Sequence, residues 1–476
     1  MRKMFLLALF VIGLAGSIEG AKSRPNILFV FTDDQAPWAL GLSGHPHAQT
    51  PNMDRLFKAG AWLKKAYTVT PVCSPSRAAL MTSRYGTELG ITDWIRPGQE
   101  DYLGLDKSLP TWPKLLKEAG YKTGLVGKWH LGVLEKHYPT QFGFDYFMGF
   151  RTGGNRVTNP SLEEVGDEVK KYPGYTYDVP TEYALKFIRK HQQGPFMLAL
   201  HYRAPHAAWM PQPESDRRPF DKLDPTIPNP DYPDLNTAWV KRITREYLGS
   251  VKGVDRNLGQ VLDLLDELKL ADNTAVIFSS DHGYTMGHNG IWHKGNGHWI
   301  VNNPPPATPN IPRGQRPNMY DNSIFVPTGV RWPGKIKPGT VVDKPFSNLD
   351  WFPTILAMAG VEVPKGTLIR GRNALPLMQG KKIKWSDDAY GEYSTHHQSV
   401  THMRMWRTKR WKLVRDFMNP NRSELFDLMK DPAESKNVLN SKRPEVRKAV
   451  KDLDAKILTR MKQINDPVLK MVSKKK

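Results

Sequence analysis

The sequence is poor in cysteine, in acidic residues and in long apolar runs. Cys73 is the only cysteine among 476 residues, so no disulfide bond within the chain can form. The 47 acidic residues are outnumbered by 68 Lys and Arg. The formal net charge of +21 either favours polyanionic partners, such as nucleic acid, anionic surfaces or sulfated glycans, or only keeps the protein soluble. No apolar run reaches the roughly 20 residues of a membrane-spanning helix, so stable membrane insertion is not expected.

The N-terminus has the pattern of a signal peptide. Arg2 and Lys3 precede the apolar run MFLLALFVIGLAG, and small residues follow up to Ala21. This pattern predicts a signal peptide over residues 1–21 and a secreted or periplasmic protein. Exported proteins mostly pair their cysteines, so Cys73 is a reactive thiol, half of an intermolecular bridge, or a buried free thiol.

Four apolar runs of strand length each end in polar residues. Each of the following segments contains one apolar run and the polar residues at its end. They are 26–34 with Asp33 and Asp34, 122–132 with Lys128 and His130, 195–206 with His201 and His206, and 273–283 with Asp281 and His282. Helical patterns lie between them, at residues 53–66, 111–120 and 245–269. Alternating strands and helices predict an α/β fold, with a large mixed, mostly parallel sheet flanked by helices.

The polar ends of these runs predict one shared site. Ligands bind beyond the carboxyl ends of the strands in open α/β sheets, so the four ends are expected to converge. Each end also has a structural interpretation, because adjacent aspartates often cap a helix or turn and most single histidines are structural. Four strand ends with the same property favour the functional interpretation.

The C-terminal part of the sequence has a different pattern. Residues 301–318 are rich in Pro and Asn and are expected to form an irregular loop, over the site or on the surface. Shorter strand-like runs follow residue 380, and a helix is predicted from Pro444 to Gln463. We therefore predict a large N-terminal domain over residues 22–380 and a smaller C-terminal α+β domain over residues 381–476.

Cys73 is predicted to begin a helix. Pro75 suits a first helical turn, and the RAALM sequence that follows it favours a helix. A helix N-terminus lowers the pKa of a thiol and attracts anions, and Arg77 lies one turn further on. A thiol protease would use the cysteine but would leave Asp33, Asp34 and Asp281 without a role. Three carboxylates instead favour a hard divalent cation, calcium or magnesium, over zinc.

The sequence from Cys73 to Arg77, CSPSR, is followed by AALMTSRY and resembles the signature of the formylglycine-dependent, type I sulfatases of the alkaline phosphatase superfamily. The resemblance extends in order along nearly the whole mature chain. The matching segments are RPNILFVFTDD, GYKTGLVGKWHLG, APH, SSDHG, GIWHKGN, VPTGVRWPG, RTKRWKLVRD and ELFDLMKDPAESKN.

The resemblance implies a set of site residues and a catalytic N-terminal domain. It implies that a maturation enzyme, the formylglycine-generating enzyme or another sulfatase-maturating enzyme, oxidises Cys73 to formylglycine. It implies calcium, with magnesium as the alternative, on ligands that match Asp33, Asp34, Asp281, His282 and the modified Cys73. The family's catalytic positions match Arg77, Lys128, His130, His206 and Lys294. His201 and His293 match no shared role and are at most substrate contacts.

The resemblance also implies a reaction in which the oxidised Cys73 is the nucleophile. In the family, one hydroxyl of the hydrated aldehyde attacks sulfur, and the second lets the sulfated intermediate collapse and expel sulfate. The cation, Arg77, Lys128 and Lys294 would neutralise the sulfuryl oxygens. His206 would protonate the departing alcohol, and His130 would take a hydroxyl proton.

We therefore expect an exported sulfatase that removes sulfate from a sulfated carbohydrate, with no nucleic-acid partner. One alternative is a formylglycine-dependent phosphodiester or phosphonate hydrolase, and another is a catalytically silent polyanion-binding protein. Aromatic and basic residues after residue 298 either line a glycan cleft or pack and carry solvated charge. These residues include Trp299, Arg313, Arg316, Trp406 and Arg407.

Overall fold

The computed structural model describes residues 24–473, so the predicted signal peptide over residues 1–21 lies outside the described residues. The strands are β1 (Asn26–Thr32), β2 (Ala61–Leu63), β3 (Ala66–Tyr67), β4 (Lys122–Lys128), β5 (Tyr146–Phe150), β6 (Ser161–Glu164), β7 (Lys170–Lys171), β8 (Phe196–His201), β9 (Thr274–Ser280), β10 (Gly329–Arg331), β11 (Thr340–Val342), β12 (Phe346–Ser347), β13 (Ala389–His396), β14 (Val400–Arg407), β15 (Trp411–Asp416) and β16 (Glu424–Asp427).

The α-helices range from one turn to 31 residues. They are α1 (Pro51–Lys58), α2 (Cys73–Thr82), α3 (Gly86–Leu89), α4 (Trp112–Glu118), α5 (Asp178–His191), α6 (Glu214–Arg217), α7 (Thr237–Glu267), α8 (Asp321–Ile324), α9 (Trp351–Ala359), α10 (Leu375–Met378), α11 (Pro444–Gln463) and α12 (Leu469–Ser473). Within residues 24–473, none of these helices combines the length and the apolar character that a membrane span needs.

A ten-stranded sheet forms the centre of the molecule, in the order β11-β2-β10-β9-β1-β8-β4-β5-β6-β7. The five strands from β9 to β5 are parallel, whereas β10 and β6 pair antiparallel with their neighbours. In β1, Phe29 packs with α2, α4 and α9 on one face of the sheet. Val30 packs with α1, α5 and α7 on the other, because side chains alternate along a strand. The predicted α/β fold with a large, mostly parallel sheet is confirmed.

Two of the three predicted helices are confirmed and one is partly wrong. The patterns at residues 111–120 and 245–269 form α4 and part of α7, and Gly120 follows α4 with a φ of 92°. The pattern at residues 53–66 does not continue as one helix, because α1 ends at Lys58 and β2 begins three residues later. Gly60 lies against the carbonyl of Val330 in β10 without room for a Cβ atom, so the chain enters the sheet there.

A separate antiparallel sheet, in the order β13-β14-β15-β16, lies in the C-terminal part. The predicted terminal helix is confirmed as α11, and its apolar side packs on Leu413 and Leu425 of this sheet. Arg404 of β14 donates hydrogen bonds of 2.5 and 2.9 Å to the carboxylate of Asp466, just beyond α11, and both side chains are buried. The boundary near residue 380 stays a prediction.

Candidate active site

The carboxyl ends of three parallel strands meet at one edge of the large sheet. Asp33 and Asp34 follow β1, Lys128 ends β4, and Asp281 follows the end of β9. The backbone N–H of Asp34 donates to Oδ1 of Asp281 at 3.2 Å, which ties the ends of β1 and β9 together. The sequence predicted this convergence from the strand pattern, and the structure brings these residues together.

Cys73 is the first residue of α2, as predicted, and it lies beside these strand ends. Its side chain is buried, and its Sγ is 3.4 Å from Nε2 of His282 and 3.7 Å from Oδ1 of Asp33. The ammonium of Lys294 donates to the same sulfur at 3.2 Å. The thiol therefore lies at a helix N-terminus and within reach of cationic groups, where an anion is stabilised.

Each carboxylate of the site has a buried cationic partner. Nζ of Lys128 is 2.5 Å from Oδ2 of Asp33, and Nζ of Lys294 is 2.8 Å from Oδ1 of Asp34. Arg77 donates to Oδ2 of Asp281 at 3.1 Å through Nε, and its Nη2 lies 3.0 Å from the same oxygen as an ion-pair contact. These pairs hold the three cations where they would also meet a bound anion.

Burial and the neighbouring cations act on the pKa values of the site in opposite directions. Burial raises the pKa of the Cys73 thiol, but Lys128 and Lys294 outweigh burial and hold it well below the usual range. Burial likewise raises the pKa of Asp33, but Lys128, His206 and Arg77 hold it well below 3.8. Both shifts favour the anionic form of these groups.

The residues predicted as metal ligands fit a divalent cation. Atoms of Asp33, Cys73, Asp281 and His282 lie within 4.8 Å of one another. Burial and the neighbouring Asp33 raise the pKa of Asp281 to about 7, so this carboxylate lacks sufficient positive charge around it. Oδ2 of Asp34 is also buried without a hydrogen-bond partner among the described residues. A cation shared by these oxygens would satisfy both groups.

Two predicted catalytic histidines have one ring nitrogen fixed by a backbone carbonyl. Nε2 of His130 donates to the carbonyl of Ile95 at 3.0 Å, which leaves Nδ1 without a proton. Nδ1 of His206 donates to the carbonyl of Ala207 at 2.5 Å, and its Nε2 is 3.9 Å from Oδ2 of Asp34. Burial lowers the pKa of His206 to about 4, so a bound anion would be needed to favour its protonation.

His201 and His293 have different positions. His201 is buried against Phe31 and donates from Nδ1 to the carbonyl of Lys128 at 3.2 Å. It does not line the cavity above Cys73, so its interpretation as a substrate contact is wrong and its role is packing. His293 lines the cavity and lies 2.5 Å from the side-chain oxygen of Asn296.

A cavity of about 470 Å³ opens above Cys73. One wall carries Asp93, Trp94 and Pro97, and another carries His206, His293, Lys294, Asn296 and His298. A third wall comes from the C-terminal sheet, through Tyr393, Thr395 and residues 397–399. The sequence analysis missed Asp93, Trp94, Asn296, His298 and the whole third wall, because no local pattern shows that these segments meet.

The aromatic and basic residues considered for a glycan cleft do not line this cavity. Arg316 lies over the ring of Trp299 and donates to the hydroxyl of Tyr232 at 3.0 Å. Arg407 pairs with Asp321 at 2.9 Å. The alternative interpretation therefore fits better, with Arg316 and Arg407 packed and paired and Arg313 an exposed residue outside the cavity. From the irregular loop of residues 301–318, Gln315 reaches the cavity.

Known proteins resemble this chain over most of its length. The Sulfatase family model matches residues 25–361, and the model for N-sulphoglucosamine sulphohydrolase, C-terminal, matches residues 315–463. Steryl-sulfatase of Homo sapiens is 30% identical over 483 residues, which cover 88% of this chain and 81% of that protein. N-acetylglucosamine-6-O-sulfatase of Bacteroides thetaiotaomicron is 27% identical over 551 residues, which cover 97% of this chain and 91% of that protein.

The fold is shared with a solved structure of a protein in complex with its substrate D-glucosamine-2-N,6-O-disulfate. The two chains align with a TM-score of 0.79 and 26% identity, over 94% of this chain and 99% of the other. The alignment therefore includes both the large sheet and the C-terminal sheet that together form the cavity.

Proposed function

Because the chain belongs to the sulfatase family of the alkaline phosphatase superfamily and is a sulfatase, we propose that it removes sulfate from a sulfated carbohydrate. The observation that carries this proposal is the position of Cys73. Its sulfur lies at a helix N-terminus, at the base of a cavity, beside Lys294 and the carboxylates of Asp33 and Asp281. A sulfate ester that enters the cavity would place its sulfur next to this residue.

We propose that Cys73 is oxidised to formylglycine and that a cation binds beside it. As a hydrated aldehyde, formylglycine supplies a hydroxyl nucleophile and a second hydroxyl through which sulfate is released. Asp33, Asp34, Asp281 and His282 would hold calcium, or magnesium as the alternative, which supplies positive charge at the sulfuryl oxygens. Cys73 is 3% exposed in the folded chain, so the maturation enzyme is proposed to act before folding is complete.

The neighbouring side chains would position and neutralise the sulfate group. Lys128, Lys294 and Arg77 supply three fixed positive charges in a buried site, where they stabilise developing negative charge without reorganisation. Nε2 of His206 is the ring nitrogen left free to carry a proton to the departing alcohol oxygen. Nδ1 of His130 is an unprotonated nitrogen that would accept a hydroxyl proton.

Carbohydrate is the proposed substrate class for three reasons. Two of the similar proteins are named for, or were solved with, sulfated glucosamine derivatives. The cavity is also lined by polar groups such as Asp93, Asn296 and Gln315, and the indole of Trp94 offers an apolar face for a sugar ring. The formal charge of +21 would attract an anionic glycan to the surface. Secretion or a periplasmic location follows from the predicted signal peptide.

The decisive experiment combines peptide mass with turnover. The mass of the tryptic peptide that contains Cys73, taken from protein exported by its native host, should show formylglycine. The same protein should release sulfate from nitrophenyl sulfate faster than it cleaves bis-nitrophenyl phosphate. A panel of sulfated monosaccharides, oligosaccharides and steroid sulfates then identifies the substrate class. The Cys73→Ala variant is the matched control.

Each alternative has its own result. Preference for the phosphodiester would favour the phosphodiester or phosphonate hydrolase. Unmodified Cys73 with no turnover in the native exported protein would favour a polyanion-binding protein. Full sulfate release by the Cys73→Ala variant would overturn the proposed mechanism.

A further inference from the structure

A second group of metal-ligating side chains lies at the cavity wall, apart from the cluster around Cys73. Glu100 follows the cavity-lining segment of Asp93 and Trp94, whereas His396 and His397 lie at the turn between β13 and β14. Glu100 and His396, which are in contact, are 296 positions apart in the sequence. The mechanism proposed for sulfate release uses none of these side chains.

The two imidazoles converge on one carboxylate. Nε2 of His396 is 2.7 Å from Oε1 of Glu100, and Nε2 of His397 is 3.0 Å from Oε2 of the same residue. One ligand atom from each of the three residues lies within 4.8 Å of the other two. Bonds of about 2.0 Å in a tetrahedral site place ligand atoms about 3.3 Å apart, so small side-chain rotations would admit an ion.

The surroundings of His397 add an independent argument. Its side chain is 7% exposed, and its Nδ1 lies 3.1 Å from Oδ2 of Asp93. Metal-binding histidines commonly have a carboxylate behind the nitrogen that does not bind the metal, which fixes the tautomer and the ring orientation. The indole of Trp94 packs edge-on against the imidazole of His397, with 4.8 Å between the ring centroids, and further restricts the imidazole. His397 is thus held with Nε2 directed to Glu100.

We propose that Glu100, His396 and His397 form a binding site for a transition-metal ion of the zinc class. Two imidazoles and one carboxylate are a ligand set that zinc favours, whereas the site around Cys73 is rich in oxygen and suits calcium. The ion would join the loop of Asp93 to the turn between β13 and β14. It would therefore fix the cavity wall formed by Asp93 and His397.

The test measures metal content and needs no substrate, so it does not depend on the proposed function. Full-length mature protein is stripped with chelator, saturated with calcium to occupy the site near Cys73, equilibrated with Zn²⁺ and dialysed. Elemental analysis should find one zinc ion per chain. The variants Glu100→Gln and His396→Ala should each bind zinc at least 100-fold more weakly, while His191→Ala, a histidine on α5 away from the cavity, should bind it as the wild type does.

Cobalt gives a second readout on the wild-type protein, in case a variant fails to fold. Co²⁺ in place of zinc should produce the intense visible absorption of a tetrahedral site, and added Zn²⁺ should remove it. Absence of bound zinc in the wild type, or equal zinc binding by Glu100→Gln and the wild type, would overturn the proposal.

Discussion

The ammonium of Lys294 lies 3.2 Å from Sγ of Cys73. The two residues are 221 positions apart, and Lys294 reaches the sulfur from the loop that follows β9. Since the same ammonium also pairs with Asp34 at 2.8 Å, one cation links the proposed nucleophile position to a proposed metal ligand. A side chain in this position is suited to hold negative charge as it develops at the reacting group.

Replacement of Lys294 by methionine should therefore reduce turnover strongly. The variant keeps most of the side-chain volume but loses a buried charge whose removal typically costs about 10²- to 10³-fold in kcat. Steady-state kinetics with nitrophenyl sulfate measures the effect, and Lys384→Met, at an exposed position, is the matched control. A Lys294→Met variant with wild-type kcat would contradict the proposed role.

Removal of the proposed divalent cation should also reduce activity. Chelation leaves the carboxylates of Asp33, Asp34 and Asp281 without the shared positive charge, and a loss of at least about 100-fold in kcat is expected. Added calcium, or magnesium, should restore turnover, whereas circular dichroism should show that the fold persists throughout. Full activity after exhaustive chelation, with metal content verified by elemental analysis, would show that no cation is needed.

The strand ends of the site could be predicted because their signal is local. A parallel strand shows itself as a short apolar run, and the residue after it must lie at the carboxyl edge of the sheet. Asp33, Lys128 and Asp281 follow this rule, and their strands β1, β4 and β9 fix their positions. The helix start at Cys73 was equally local, because Pro75 and the following residues favour a first turn.

The walls of the cavity could not be predicted in the same way. His397 reaches the cavity because the C-terminal sheet packs beside the large sheet, and Trp94 meets it from a segment about 300 residues earlier in the sequence. No periodic pattern encodes such a contact. The error at residues 53–66 has a related cause, since the approach of Gly60 to Val330 ended the helix and only tertiary structure shows that approach.

The buried carboxyl of Asp350 should make stability depend on pH. Burial raises its pKa from 3.8 to about 6, so between these values the folded chain binds more protons than the unfolded chain. This contribution, about 3 kcal/mol, is fully present below pH 4 and is lost as pH rises through 6. About 2 kcal/mol of it is lost between pH 4.5 and pH 7.5, and the change in melting temperature over this range measures that part.

The matched variant for this effect is Asp350→Asn, which cannot titrate. It should remove the part of the pH dependence that Asp350 contributes, so that the difference in stability between the wild type and the variant changes from acid to neutral pH. A constant difference across this range would mean that Asp350 has an ordinary pKa in the folded chain.

The ion pair between Arg404 and Asp466 should be a major determinant of stability in the C-terminal part. Both side chains are buried, and the pair joins β14 to the segment just after α11. Asp466→Asn leaves the guanidinium without its anionic partner and should cost about 3–5 kcal/mol, because removal of one member of a buried pair leaves an uncompensated charge.

The double variant Arg404→Met/Asp466→Leu removes both charges and should be less destabilised than Asp466→Asn. Urea unfolding followed by tryptophan fluorescence measures the free energy of unfolding of both variants. A double variant at least as unstable as Asp466→Asn would show that the other contacts of the guanidinium contribute more than the pair. These contacts are to Ser394 and the carbonyl of Met403.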